Sequence, residues 1–275
     1  MWSIAIYHGQ SPFKLAPLHS DPVLTREHIT DIPAAFVADP FFTRKDQTWH
    51  MFFEIMNAET GQGEIGLATS TDGSAWTYQR VVLKETFHLS YPYVFSWQGA
   101  YYMMPETIRA GAIRLYKALD FPTGWHCVAN LIPGEFADAS IFRSHGLWWI
   151  FACDAPYQHD TLSLYFASEL TGPWIQHPLN PLLRGDRSRA RPAGRVLKQD
   201  GAIFRLAQDC IPQYGSSVRA FRILDLSTSS YAEVEHEHSP ILRAGGRGWN
   251  ASGMHHLDAC RLPNGQWLAC VDGAC

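Results

Sequence analysis

The sequence predicts an all-β protein, a five-bladed β-propeller, from three observations. One hairpin recurs five times, a second strand–turn–aromatic unit interleaves with it, and the strands missing from the last unit stand at the other end of the chain. Composition agrees with this reading. Hydrophobic residues make up 46% and aromatics 13% of 275 residues, against 17% charged, with 21 glycines and 17 prolines. That is ample core material with many turn formers, which favours short strands over long helices.

The first unit is "ADPFFTRKDQTWHMFFE" (38–54), repeated as "SYPYVFSWQGAYYMMPE" (90–106), "ADASIFRSHGLWWIFACD" (137–154), "PAGRVLKQDGAIFRLAQD" (192–209) and "MHHLDACRLPNGQWLACVD" (254–272). Each is an apolar strand, a turn and a second strand rich in aromatic and aliphatic residues. A ten-residue step separates Asp39 from Trp49, Tyr91 from Tyr101, Asp138 from Trp148 and Ala193 from Ile203, and the fifth copy carries one extra turn residue before Trp267. Every copy ends in an acid: Glu54, Glu106, Asp154, Asp209 and Asp272.

The second unit appears as "GEIGLATSTDGSAW" (63–76), "AIRLYKALDFPTGW" (112–125), "LSLYFASELTGPW" (162–174) and "SVRAFRILDLSTSSY" (217–231). Its closing aromatics are Trp76, Trp125, Trp174 and Tyr231, the first three 49 residues apart, which is one repeat. These aromatics read as packing between blades. The fifth unit lacks its partner, and "WSIAIYHGQSPFKLAPL" (2–18) supplies the strand–turn–strand outline. Sharing one blade between the two ends of the chain leaves no open sheet edge. The expected blades are 38–85, 90–133, 137–178, 190–236, and 253–273 completed by 2–24, in one domain over 1–275. Loops 182–192 and 243–253 read as insertions above the rim, and no helix of consequence is expected.

Several classes of partner are disfavoured. A net charge of −4 without a basic run gives no footprint for nucleic acid. No stretch reaches the roughly 20 apolar residues of a membrane span. The start, "MWSIAIYHGQSPF", lacks the basic region of a signal peptide. Six cysteines without a C-x-x-C pair read as thiols in a reducing compartment, so a cytoplasmic location is expected.

In such a ring the inner strands all start at one mouth, and each second strand returns to it. The rim therefore receives Asp39 with Glu54, Tyr91 with Glu106, Asp138 with Asp154, Arg191 with Asp209, and His255 or His256 with Asp272. Crowded carboxyl groups raise one another's pKa, which divides them into acids and bases. Glycoside hydrolysis requires such a division. A rim of hydrogen-bond acceptors with aromatics such as Tyr91, Tyr93, Trp97 and Trp249 also suits neutral, polyhydroxylated ligands. Each residue has an ordinary structural use as well. Strand-end acids and Asp39 or Asp138 can cap turns, Arg191 can belong to a solvated loop, and His256 can be a satisfied core histidine.

These motifs resemble the five-bladed glycosidases of families 43, 62 and 32. "VADPFF" is similar to the Asp-Pro that opens their first blade, which implies a general base or nucleophile at Asp39. "ADASIF" offers Asp138 where those enzymes carry the general acid, and Arg191 and His256 match an arginine of blade 4 and a histidine of blade 5. "SYPYVF" departs from the pattern: Tyr91 stands where family 43 has an aspartate that tunes the acid, and nearby Glu106 can compensate. "FHLSYPYVF", "MPET", "ARPAGR", "AQD" and "MHHLD" look more like a group of bacterial propellers and the domain preceding the glycosyltransferase module of plant glucosamine inositolphosphorylceramide transferases. That likeness implies carbohydrate without implying hydrolysis.

The resulting expectation is a glycoside hydrolase-like protein acting on a furanoside or related glycan. Asp39 serves as base, Asp138 or Glu106 as acid, and Arg191, His256, Tyr91, Glu54, Asp209 and Trp249 contact the substrate. Carboxyls drawn from different blades favour the inverting separation of roughly 6.5–9.5 Å. The alternative is a non-catalytic carbohydrate-binding propeller that partners an enzyme of surface-glycan or glycolipid biosynthesis. No cofactor is expected. The resemblance allows a channel calcium or sodium ion beneath a histidine, but no run of ligands has the spacing of an oxygen cage, so no metal is assigned.

Overall fold

The computed structural model describes residues 1–275, arranged as five sheets around a central channel. Blade 1 comprises Ala34–Lys45, Thr48–Asn57, Gly63–Ser70 and Thr77–Leu83, and blade 2 comprises Ser90–Trp97, Ala100–Glu106, Ala112–Asp120 and Thr123–Pro133, both antiparallel meanders. Blade 3 runs through Ala137–Ser144, Leu147–Cys153, Leu162–Ala167 and the short Ile175–Gln176. Blade 4 has Leu197–Gln199 innermost, then Ala202–Asp209, Ser217–Leu226 and Tyr231–Glu235, with Leu242–Arg243 pairing the third strand from its other end. The last sheet joins the two ends of the chain: Trp2–Ser11 pairs with Trp267–Ala274, Leu257–Arg261 lies inside and Lys14–Pro17 outside.

The second strands explain the sequence pattern best. "TWHMFFEIMN" and "LWWIFAC" are apolar almost without alternation and are buried nearly throughout. Each lies in a sheet covered on both faces by neighbouring blades, so both side-chain directions meet protein. The closing tryptophans seal these faces. Trp125 of blade 2 meets Phe52 of blade 1 edge-on, ring centroids 5.5 Å apart. Trp76 joins an apolar cluster with Leu268 and Cys270 of the last blade. Burying an aromatic of this size stabilises the fold by roughly 2–3 kcal/mol.

Three inner hairpins turn through Gln98-Gly99, His145-Gly146 and Asp200-Gly201, with both residues of each turn at positive φ. This two-residue turn matches the twist of its strands, and glycine takes its second place without steric cost.

At the opposite end of the inner strands lies a feature that positions the site. Asp39, Tyr91 and Asp138 occupy equivalent places and have φ values of 52°, 46° and 50°. Each sits in a break of register between the first two strands of its blade, at 38–41, 90–93 and 137–140. A bulge of this kind re-aims one side chain out of the pleat. Left-handed backbone at a residue other than glycine costs of order 1–3 kcal/mol and persists where its surroundings enforce it. Blade 4 departs from the pattern. Gly194, at φ 130°, passes so close to blade 5 that an added Cβ would lie 1.9 Å from the Leu257 carbonyl oxygen.

Candidate functional site

The bulges deliver Asp39 and Asp138 to one mouth of the channel, where they meet groups from all five blades. A pit of about 200 Å³ opens there, and its walls include Asp39, Glu54, His88, Glu106, Arg191, Tyr214, His255 and Trp2. A second cavity, about 370 Å³, lies at the opposite mouth between Arg44, Trp49, Phe95 and Arg195, and no carboxyl group lines it.

Asp272 organises the pit from below. Its Oδ1 accepts the backbone N–H of His255 (3.2 Å) and of His256 (3.0 Å), and stands 2.7 Å from His255 Nδ1. Its Oδ2 accepts the N–H of Asp39 (3.0 Å), latching the last blade to the first. Burial raises the pKa of Asp272, but the His255 charge and hydrogen bond outweigh it and keep the group below its usual value. His255 is correspondingly raised: burial opposes its charge, and Asp272 more than offsets that. With Nδ1 held by Asp272, His255 turns Nε2 towards Asp39 Oδ1, 3.5 Å away. The same latch recurs between blades 2 and 3, where Glu106 Oε2 accepts the N–H of Asp138 at 3.3 Å.

The three carboxyl groups on the pit wall share one property. Asp39 is raised to about 7, chiefly by burial, with Asp138 and Asp272 adding and His255 opposing. Glu106 reaches about 8, through burial and the neighbouring Asp138. Glu54 is raised well above its usual range by burial and by Asp39 and Glu106. Near neutral pH Glu106 therefore holds its proton, Asp39 titrates, and Glu54 is shifted towards its protonated form.

Asp138 stands apart from these three. Its Oδ2 accepts Arg191 Nε at 2.5 Å and Gln208 Nε2 at 2.6 Å, and the residue is 2% exposed. Arg191 also donates to the Pro156 carbonyl (3.1 Å), pairs with Glu106 (3.4 Å) and lies 5.2 Å from the centre of the Tyr214 ring. This arginine is thus no loop residue in solvent; it is the buried cation that binds blades 2, 3 and 4 at the rim.

Several sequence-based expectations need correction. Tyr91 does not face the pit. It is fully buried, its hydroxyl accepts the Gly194 N–H at 2.5 Å and stands 2.8 Å from Ser140 Oγ, so its ring braces the channel wall beneath the site. His256 is a core histidine: Nε2 lies 2.9 Å from the Pro40 carbonyl, its ring packs edge-on against Phe41, and burial depresses its pKa to about 4. Its neighbour His255 is the one on the pit wall. Asp209 caps a turn through the Ile211 N–H (3.0 Å) and lies 3.8 Å from Arg219. Trp249 packs over Gly273, where an added Cβ would lie 2.4 Å from its ring. Asp154 turns to Ser163, whose hydroxyl donates to it at 2.6 Å.

Trp2, His88 and Tyr214 are pit residues that the repeat did not reveal. His88 lies in the link between blades 1 and 2, its Nδ1 accepts the Gly63 N–H at 2.8 Å, and its Nε2 faces Glu54 at 3.4 Å. That bond fixes the tautomer: Nε2 carries the proton.

Donor atoms of Asp39, His255 and Asp272 lie within 4.8 Å of one another. They do not make a calcium cage. Such an ion takes six to eight oxygens, whereas both Asp272 oxygens already accept N–H bonds. The chemistry open to the pit is hydrogen bonding to hydroxyls, together with proton exchange by Asp39 and Glu106.

Comparison with known proteins places this architecture. Among solved structures, the catalytic domain of a GH62 α-L-arabinofuranosidase from Coprinopsis cinerea superposes with a TM-score of 0.64 at 14% identity, covering 98% of this chain and 97% of that one. An exo-β-1,3-galactanase from Phanerochaete chrysosporium gives 0.64 at 15% identity over 92% and 64% of the two chains. At such identities the likeness concerns the fold. Curated relatives are closer in sequence: glucosamine inositolphosphorylceramide transferase 1 of Oryza sativa subsp. japonica is 36% identical over 300 aligned positions, and that of Arabidopsis thaliana 35% over 295. Both alignments cover 99% of this chain but only 40% and 39% of the relatives, so the chain spans about two fifths of their length. The family profile described as "Glucosamine inositolphosphorylceramide transferase 1, N-terminal" matches residues 1–274, and the chain belongs to that family.

Proposed function

We propose that this propeller binds a glycan in the pit walled by Asp39, Glu54, Glu106, Arg191 and His255, as the recognition part of a system that builds a surface glycan or glycolipid. One observation carries the reading. Asp138, standing where related folds would carry a catalytic acid, has its Oδ2 taken by both Arg191 and Gln208. Three other carboxyl groups meanwhile face the pit with raised pKa values. Protonated carboxyls both donate and accept hydrogen bonds, which matches sugar hydroxyls without an excess of buried charge. The relatives' printed name, a transferase acting on inositolphosphorylceramide, supports a role in assembly, with a glycosyltransferase as partner. Six free thiols support a reducing, cytoplasmic setting.

A specific observation favours a second reading, glycosidic hydrolysis of a furanoside or related glycan. Asp39 near 7 and Glu106 near 8 straddle the division between base and acid, and an inverting reaction needs one carboxyl group of each kind. Asp39 would then activate water and Glu106 would protonate the leaving oxygen.

One experiment separates the two. Wild type, Asp39→Asn and Glu106→Gln are titrated by calorimetry with aryl furanosides, pyranosides and bacterial surface oligosaccharides, and sugar release is followed in the same samples. Binding heat without release is expected. Release by the wild type that both variants lose would make the second reading correct, and neither heat nor release would overturn both.

A further inference from the structure

The pit is one end of a longer trough. His88 walls the pit and also two cavities beside it, one of about 580 Å³ running past Gln62 and one of about 260 Å³ between Glu106, Arg109 and Tyr157. Arg109 lines both outer cavities. Beneath the pit the hydroxyl of the fully buried Tyr91 reaches Ser140 and the Gly194 carbonyl across the channel, so a ligand too large for about 200 Å³ extends sideways along this trough.

The trough has an unusual charge distribution. Burial depresses the pKa of His88, leaving it neutral, and Glu106 is the only carboxyl on the 260 Å³ cavity. Lys84, nearby in the chain, is paired with Glu64 at 3.0 Å. Arg109 is exposed on the short turn Ile108–Ala110, and its guanidinium makes neither hydrogen bond nor ion pair. An unpaired guanidinium beside a neutral histidine and a protonated carboxyl is complementary to an anion. Tyr157, 62% exposed at the far wall, adds a flat apolar face of the kind that sugar rings stack upon.

Building on the reading that the pit holds a sugar, we propose that Arg109 and Tyr157 form a second subsite for an anionic group, carboxylate or phosphate, on the unit adjoining the one in the pit. The ligand is then an acidic glycan of at least two units, with a neutral unit inside and the negative charge outside.

Binding of three probe sets to wild type, Arg109→Gln and Asp39→Asn tests this: neutral, uronic-acid-bearing and phosphodiester-bearing oligosaccharides of two to four units, on an array and then by calorimetry. One lost charge-assisted hydrogen bond corresponds to about tenfold in affinity. Acidic probes should bind the wild type about that much more tightly than neutral ones, and Arg109→Gln should erase the difference while leaving neutral binding and thermal unfolding unchanged. The preferred acidic set identifies the anion as carboxylate or phosphate. Equal affinity for neutral and acidic probes, or an Arg109→Gln variant that keeps the preference, overturns the subsite while leaving the pit reading intact. Failure of every probe to bind wild type overturns both.

Discussion

Glu106→Gln should flatten the loss of stability that the wild type suffers as pH rises towards about 8. Glu106 is 8% exposed, and burial beside Asp138 lifts its pKa from 4.5 to about 8. A carboxyl group protonated in the folded chain and ionised in the unfolded one stabilises the fold fully below pH 4.5, and that contribution is lost as pH rises through about 8. His256, His88 and His159 act with the opposite sign, because their pKa values are depressed. Above the ordinary histidine value of 6.5 their effect fades. His255, whose pKa is raised, loses stability in the same direction as the acids, so the window from pH 6.5 to 8 is read as the difference between the two proteins. Across it Glu106 alone removes roughly 1.5 kcal/mol, or about 3–6 °C in Tm for a chain of this size. Asp39 titrates in the same direction in both proteins, and the difference between them reports Glu106. Thermal unfolding followed by circular dichroism at pH steps from about 5 to 9 is the assay. Parallel curves for the two proteins would mean that Glu106 is ionised in the folded state, and the account of the pit as a site of protonated carboxyls would fail.

Two further expectations concern the channel wall. Tyr91→Phe should cost about 1–3 kcal/mol, because the buried Gly194 N–H loses its partner; glycan binding should survive, and an unchanged urea midpoint would contradict the bracing role. Gly194→Ala should cost about 3 kcal/mol or more, since its Cβ would meet the Leu257 backbone at a φ that alanine rarely adopts. A soluble Gly194→Ala variant with normal Tm would show that blades 4 and 5 do not meet there through bare backbone.

The ring was legible because its signal is carried by many residues at once: a hairpin period, a second aromatic period and one incomplete unit. Side-chain direction at single positions was harder to read. His255 and His256 are identical neighbours in "MHHLD", and only the bond from Asp272 to His255 Nδ1 decides which of them turns to the pit. Glu54 and Asp209 close equivalent repeats of the sequence, yet Asp209 folds back onto its own turn at Ile211, a local bond that no repeat reveals. Tyr91 occupies the same left-handed bulge as Asp39 and Asp138, but its hydroxyl reaches Ser140 and Gly194 across the channel, which takes the ring below the site. His88 and Tyr214 lie outside the recurring hairpins, in connections whose course depends on the blades they join.

Closure of the last blade has a mechanical consequence. Trp2 pairs with Ala274 and Gly9 with Trp267 in one antiparallel ladder, and the amino group of Met1 contacts the carbonyl of Cys275. Tension applied through both ends therefore pulls at a single point of the ladder and parts its hydrogen bonds one pair at a time, as a zipper opens. Load applied at one end and at a surface loop of an opposite blade would instead slide whole strands past each other and strain many bonds together. The direction from which any attached segment tugs thus decides whether the ring unseals easily or holds.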